Sequence, residues 1–287
     1  MKDNKKILRE ALDKNSFFKL PGVYDCLGAK IAEEIGFDAI YLSGGALSLA
    51  GLGKPDSGYL NFTDLKITLE RIMSTVDMPI ITDTDNAFGN AMHAANTART
   101  LDRMGVCGMQ IDDNVLPQPK PNSSKDLISW DYLAPKLEAV RKSTSDDFVI
   151  VLRTIIGKTE GMEKAVERAN KATDLGVDYV FIEGFNTVEE MEYVTRESRA
   201  KLMVNLNENT FAATVDINKV KSMNFKIGLY PISTLQIAAK SMYDELKLLK
   251  EEDSTMKLKS KMTTYTEIMK SLNYYEDVEK YSGFYKK

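Results

Sequence analysis

Eight short, almost unbroken apolar runs alternate with helix-like stretches along this chain, and that alternation constrains the fold more than any other feature. The runs lie near residues 21–25, 37–43, 79–85, 106–112, 148–154, 179–183, 201–205 and 226–230. A strand with one wet face alternates apolar and polar residues. These runs do not, so each is expected to be covered on both faces, as in a parallel sheet. Gly36, Gly105 and Gly176 each close a helix-like segment just before a strand, where a left-handed cap is needed. Eight strands alternating with helices predict an α/β fold of the (β/α)8 TIM-barrel type. An open doubly wound sheet is the competing arrangement.

After Tyr230 the pattern changes. Residues 234–252 carry apolar side chains at helical spacing, 253–262 are polar, and 263–281 form a second helical pattern with aromatics on one face. The expected organisation is a catalytic barrel over 1–252 and a helical extension of the same domain over 253–287. The extension packs either on a neighbouring subunit or on its own barrel.

Composition narrows the function. The chain has 287 residues and a net charge of −4, so there is no basic footprint for nucleic acid. Residues 1–18 have no apolar signal core, and no run approaches the ~18 apolar residues of a membrane span. Two cysteines, Cys26 and Cys107, without metal-type spacing fit a reducing compartment. The expectation is a cytoplasmic protein acting on a small molecule, with no nucleic-acid or membrane partner. Both cysteines read as small apolar residues, and the single histidine, His93, as a surface or packing residue.

In a barrel the chemistry sits at the C-terminal strand ends. Here those ends bring Ser43, Gly44 and Gly45, then Asp83 and Asp85, Asp112 and Asp113, Arg153, Glu183 and Asn205. Asp83 and Asp85 are two apart and would share a face if both are in strand. Asp112 adds a third carboxylate. Such a group repels itself unless a cation sits within it, and oxygen donors favour Mg2+ or Mn2+. An aspartate at a strand end can equally cap the next helix, and that reading is open for Asp113 in particular. Arg153 interrupts an apolar strand and must face an anion, either a substrate carboxylate or Glu183. Gly44 and Gly45 leave backbone N–H groups free at a helix start, suited to a carboxylate or a phosphonate. Asp56 lies in a Gly/Pro-rich loop and is a candidate site group or a plain turn residue.

Together these segments resemble the isocitrate lyase/phosphoenolpyruvate mutase superfamily, nearest its 2-methylisocitrate-lyase-like branch. The resemblance runs from residue 21 to 233 and is carried by YLSGG (41–45), DTDNAFGN (83–90), ARTLDRMG (98–105), LRT (152–154) and LYPIS (229–233). It continues weakly over 272–281. It implies a magnesium-dependent barrel whose terminal helix packs on a partner, usually within a homotetramer of helix-swapped dimers. By position, Asp85 would hold the metal directly, with Asp83 and Asp112 acting largely through water. Tyr41, Ser43, Gly44, Gly45, Arg153 and Asn205 would bind the substrate, and Asp56, Arg153 and Glu183 would form the catalytic set.

Four departures accompany the resemblance. Asp112 stands where the family usually has glutamate, and Ala87 where it has glycine. After Arg153-Thr154, Ile155-Ile156 replaces a common Asp-Ala. The lyases also carry a Lys-Arg-Cys-Gly-His lid. Here residues 117–124 read PQPKPNSS, with Lys120 and Asn122 out of alignment with the lysine and asparagine of the phosphonopyruvate enzymes. The lid acid that protonates a leaving carbanion is therefore missing. The expectation is a lyase cleaving a C–C bond next to a bound 2-oxo or 2-hydroxy carboxylate, with oxaloacetate-type decarboxylation favoured. P–C chemistry on phosphonopyruvate and a non-catalytic carboxylate-binding barrel are the alternatives.

Overall fold

The computed structural model describes residues 3–116 and 127–285. Eight parallel strands close into a barrel in chain order: β1 (Phe18–Val23), β2 (Ile40–Leu42), β3 (Ile80–Asp83), β4 (Gly108–Asp112), β5 (Val149–Thr154), β6 (Tyr179–Ile182), β7 (Leu202–Asn205) and β8 (Ile227–Tyr230). Closure comes from β1 pairing with β8, with Phe18 opposite Ile227 and Pro21 opposite Tyr230. A closed barrel excludes the open doubly wound sheet.

The apolar runs are continuous because each strand serves two cores. Residues of one parity, among them Ile40, Leu42, Ile80, Met109, Ile111, Ile150, Leu152, Val180 and Val204, join the layer beneath the surrounding helices. Residues of the other parity fill the lumen: Tyr41, Ile81, Val149, Val151, Tyr179, Phe181, Met203, Ile227 and Leu229. The helix Asn4–Lys14 plugs one end of that lumen with Leu8 and Leu12, both buried. Gly36 and Gly105 end their helices in the left-handed conformation, and Gly176 adopts φ 86 just beyond its own helix.

Seven strands are shorter than the sequence reading set them, β1 is longer and begins three residues earlier, and two further expectations are corrected. β3 ends at Asp83, and Asp85 lies beyond it in a left-handed turn (φ 48). Asp83 and Asp85 therefore do not share a strand face. The helix expected over 263–281 is two helices, Tyr265–Ser271 and Tyr274–Ser282, parted at Asn273 with φ 57. Asparagine tolerates that conformation better than most residues. The long helix Ser233–Glu252 forms as expected, and a 3-10 turn, Met256–Lys261, follows it.

Candidate active site

Strand parity places the site. Counting by twos along the lumen face leads from Tyr41 to Ser43, from Ile81 to Asp83, from Gln110 to Asp112, from Val151 to Arg153, from Phe181 to Glu183 and from Met203 to Asn205. The apolar lumen thus ends in a polar top layer at the C-terminal strand ends, where barrel enzymes do their chemistry.

The carboxylates crowd one another. Asp83 is pushed well above the usual carboxylate range, first by burial, then by the charges of Asp112, Asp85 and Asp56. Asp85 is raised to about 7 by burial and by Asp112 and Asp56. Burial raises Asp112 to about 6, against the pull of Arg153. Tyr41, 2% exposed, hydrogen-bonds Asp83 and stays a neutral phenol for the same reasons, burial first. Asp56 is exposed in its loop, but its carboxyl turns inward. A Cβ on Gly45 would stand 2.6 Å from Asp56 Oδ2, and one on Gly44 would stand 3.1 Å from Asp83 Oδ2. Larger residues at 44 or 45 would push these carboxylates away.

A tight turn presents Asp85. Its N–H donates to Asp83 Oδ1 at 3.1 Å, and its carbonyl accepts from the Asp112 N–H at 2.7 Å. Ala87 and Phe88 also take positive φ, 62 and 58. Such angles cost non-glycine residues roughly 1–2 kcal/mol each, so the surroundings must hold the turn. One holder is Lys136, fully buried, which donates from Nζ to Asn86 O at 2.8 Å. Burial lowers its pKa to about 8. Lys136 was not among the sequence candidates. Its signal was its place on the apolar face of the helix Trp130–Lys142, beside buried Leu133, Leu137 and Val140.

Arg153 faces two anions. It pairs with Asp112, its register neighbour across β4 and β5, and donates to Glu183 Oε2 at 3.4 and 3.3 Å. About 26% of its side chain remains accessible, enough for a substrate carboxylate to compete. Glu183 also lies 3.6 Å from Lys158 and accepts from Asn205 Nδ2 at 3.4 Å. Arg153, Lys158 and these hydrogen bonds outweigh burial and hold Glu183 below its ordinary pKa.

Other candidates do structural work. The Ser43 hydroxyl caps the helix Gly44–Gly51 by accepting from Ala46 N at 3.2 Å. The first-turn N–H groups of Gly44 and Gly45 have no acceptor within that helix. Asp113, 0% exposed, turns away from the lumen. It accepts from Thr154, from Ile155 N at 3.1 Å and from Arg168 at 2.8 Å. His93 is exposed beside Asn90, 3.0 Å away. Burial raises the Cys107 thiol to about 11, and Cys26 is half-buried.

The donor set suits a hard divalent cation. Gln110 Oε1 is buried with no partner, while Gln110 Nε2 donates to Asp112 Oδ1 at 3.0 Å. Water around a cation would satisfy that oxygen, and Mg2+ commonly keeps several waters. Among the described residues, no three acidic, histidine or cysteine side chains are close enough to clasp a metal directly. The set therefore suits one carboxylate ligand with the others acting through water. An antiparallel bridge pairs Asn114 with Leu127. Residues 117–126, with Lys120 and Asn122, lie outside the described residues.

An acidic, arginine-bearing top layer on a closed (β/α)8 barrel defines a barrel enzyme. Residues 8–250 match the phosphoenolpyruvate phosphomutase family, and the chain belongs to that family within the isocitrate lyase/phosphoenolpyruvate mutase superfamily. It is an enzyme of the carbon–carbon lyase class. It is 32% identical to 2-methylisocitrate lyase of Aeropyrum pernix over 94% of this chain and 87% of that protein. It is 29% identical to 2,3-dimethylmalate lyase of Eubacterium barkeri, with 91% of each covered. A solved structure of oxaloacetate acetylhydrolase with the inhibitor 3,3-difluorooxalacetate superposes with a TM-score of 0.89 at 25% identity. That match covers 99% of this chain and 98% of the other.

Proposed function

We propose that this chain is a Mg2+-dependent lyase that cleaves a C–C bond beside a bound 2-oxo or 2-hydroxy carboxylate. The favoured substrate is a 2-oxo diacid of the oxaloacetate type. The observation that carries this is the buried acidic group of Asp83, Asp85 and Asp112: burial raises all three pKa values, and the charge of Asp112 adds to the rise at Asp83 and Asp85. A divalent cation held by Asp85, with Asp83 and Asp112 behind it, would supply the positive charge that favours enolate-like charge on the substrate.

The chain's own groups do the rest. The Gly44 and Gly45 N–H groups and Arg153 bind the carboxylate beside the 2-oxo group. Tyr41, kept protonated, backs Asp83 without adding charge. Glu183, itself held by Asn205, backs Arg153 from the far side. Asp56, whose carboxyl burial raises above its ordinary pKa, is the acidic group at the reacting end. Loss of CO2 from the diacid needs no lid acid, because solvent can protonate the carbon left behind. This accords with a lid sequence that lacks cysteine and histidine.

A second reading is hydrolytic cleavage between C2 and C3 of oxaloacetate, favoured by the likeness to oxaloacetate acetylhydrolase. The purified protein with Mg2+ separates the two. Oxaloacetate yields pyruvate and CO2 in the first case, oxalate and acetate in the second. Asp85→Ala abolishes either activity. If 2-methylisocitrate alone turns over, the diacid assignment is wrong. If phosphonopyruvate alone turns over, the bond broken is P–C.

We further propose a homo-oligomer, a tetramer of helix-swapped dimers, with residues 253–287 as an extension docking on a neighbour. Met242, Tyr243, Leu246, Tyr265 and Phe284 stand 54–79% exposed, an unusual concentration of wetted apolar surface. No helix among the described residues is long and apolar enough to cross a membrane.

A further inference from the structure

A cavity of about 350 Å3 opens where the chain leaves β6 and β7, lined by Lys158, Glu183, Gly184, Asn205, Asn209 and Thr210 among others. It adjoins the site through Glu183, which accepts from Arg153, and Asn205, which donates to Glu183. Among the described residues that line it the one cation is Lys158, on the short helix Ile156–Glu160 just after Arg153 and Thr154. A lysine is not required there to hold the fold. Lys158 Nζ lies 3.6 Å from Glu183 Oε1, too far for a good hydrogen bond, and no other partner for it is recorded among the described residues. The side chain is 31% accessible. Among the described residues its three donors make no hydrogen bond, and its one ion pair is the long one to Glu183, which leaves it able to take an anion.

The path of the side chain is built. Lys158 runs across Gly184, where a Cβ would come within 2.0 Å of Lys158 Cγ, and Gly184 takes φ 98. Only glycine meets both conditions. The lysine stem is thus laid along the cavity wall toward Glu183. Glu183 is already shared with Arg153, and Arg153 with Asp112. Lys158 is the cation in this region least committed to protein carboxylates.

We propose that Lys158 determines substrate specificity by binding a second anionic group, so that the substrate is a dicarboxylate or longer acid and not a monocarboxylate. This rests on the proposed reading of the site. One carboxylate lies at Gly44, Gly45 and Arg153. The other reaches the cavity, where Asn205, Asn209 and Thr210 supply polar neighbours to Lys158.

The test is calorimetric binding in Mg2+ with three probes: oxalate, which fills only the inner position, pyruvate, and 3,3-difluorooxaloacetate, which carries the second carboxylate. Lys158→Met is expected to weaken difluorooxaloacetate at least about tenfold while oxalate and pyruvate stay within about twofold. Lys158→Arg, which keeps the charge, should hold difluorooxaloacetate within a few-fold of wild type. Equal weakening of all three probes, or no change in any, overturns the specificity role. So does an Arg variant as weak as the Met variant. Absence of oxalate binding to the wild-type protein would instead bring down the underlying reading of the site, an outcome distinguishable from loss at Lys158 alone.

Discussion

Asp112 and Asp113 are adjacent, both buried, yet the structure assigns them opposite tasks, and substituting each by asparagine should separate those tasks. Asp113 accepts three donors and, among the described residues, is the one carboxylate facing the Arg168 guanidinium, whose side chain is 10% exposed. In Asp113→Asn, Arg168 keeps only its 3.2 Å bond to Ile128 O, and the new amide points donors at donors. Breaking one partner out of a buried ion pair costs about 3–5 kcal/mol. At roughly 2–4 °C per kcal/mol for a domain of this size, that is a fall in Tm of about 6–20 °C. Asp112 is different. It sits in a group of carboxylates whose charges oppose one another, and its partner Arg153 retains Glu183. Asp112→Asn removes repulsion as well as attraction, so Tm should stay within about 3 °C of wild type. Turnover should fall at least about a hundredfold if Asp112 holds the cation shell. The assay is thermal unfolding at pH 8 without metal, paired with oxaloacetate turnover in Mg2+. An Asp113→Asn protein that melts like wild type, or an Asp112→Asn protein that collapses, refutes this division of labour.

Metal binding should be strongly pH dependent. The folded chain raises Asp85 to about 7 and Asp112 to about 6. It therefore holds protons that the unfolded chain has already released, and metal-free stability drops as pH rises from about 4 to 7. A cation needs the deprotonated carboxylates, so the Tm gain from Mg2+ should be larger at pH 8 than at pH 5.5, and Asp85→Asn should flatten that difference. Lys136→Met removes a buried cation that has no carboxylate partner among the described residues. It should leave Tm within about 4 °C but raise the Mg2+ concentration for half-maximal turnover about tenfold by loosening the Asp85 turn. Truncation after residue 252 should yield a smaller oligomer by light scattering, if the exposed apolar face of the extension is an intersubunit surface.

The strands, their order and the barrel were legible because burial on two sides leaves a local mark. A run such as VIVLR needs no distant information to be read as a strand covered twice. The ends of those same runs brought Asp83, Arg153, Glu183 and Asn205 to one rim, while the period of two failed where it was applied, at Asp83 and Asp85, because the strand stops at Asp83. What could not be read locally was anything decided by where a turn goes or what lies across the barrel. Asp85 leaves the strand because the chain turns left-handed after Asp83, a choice stabilised by Lys136 from fifty residues away. Asp113 becomes scaffold because Arg168 arrives from a helix fifty-five residues on. The break at Asn273 is hidden within a pattern that reads as one continuous helix. Lys158 is one lysine among many in the sequence and acquires a role because Gly184 lets it lie along the wall of a cavity. Periodicity records which faces are buried. Partners are set by long-range closure of the barrel, and the charges at this rim take their meaning from those partners.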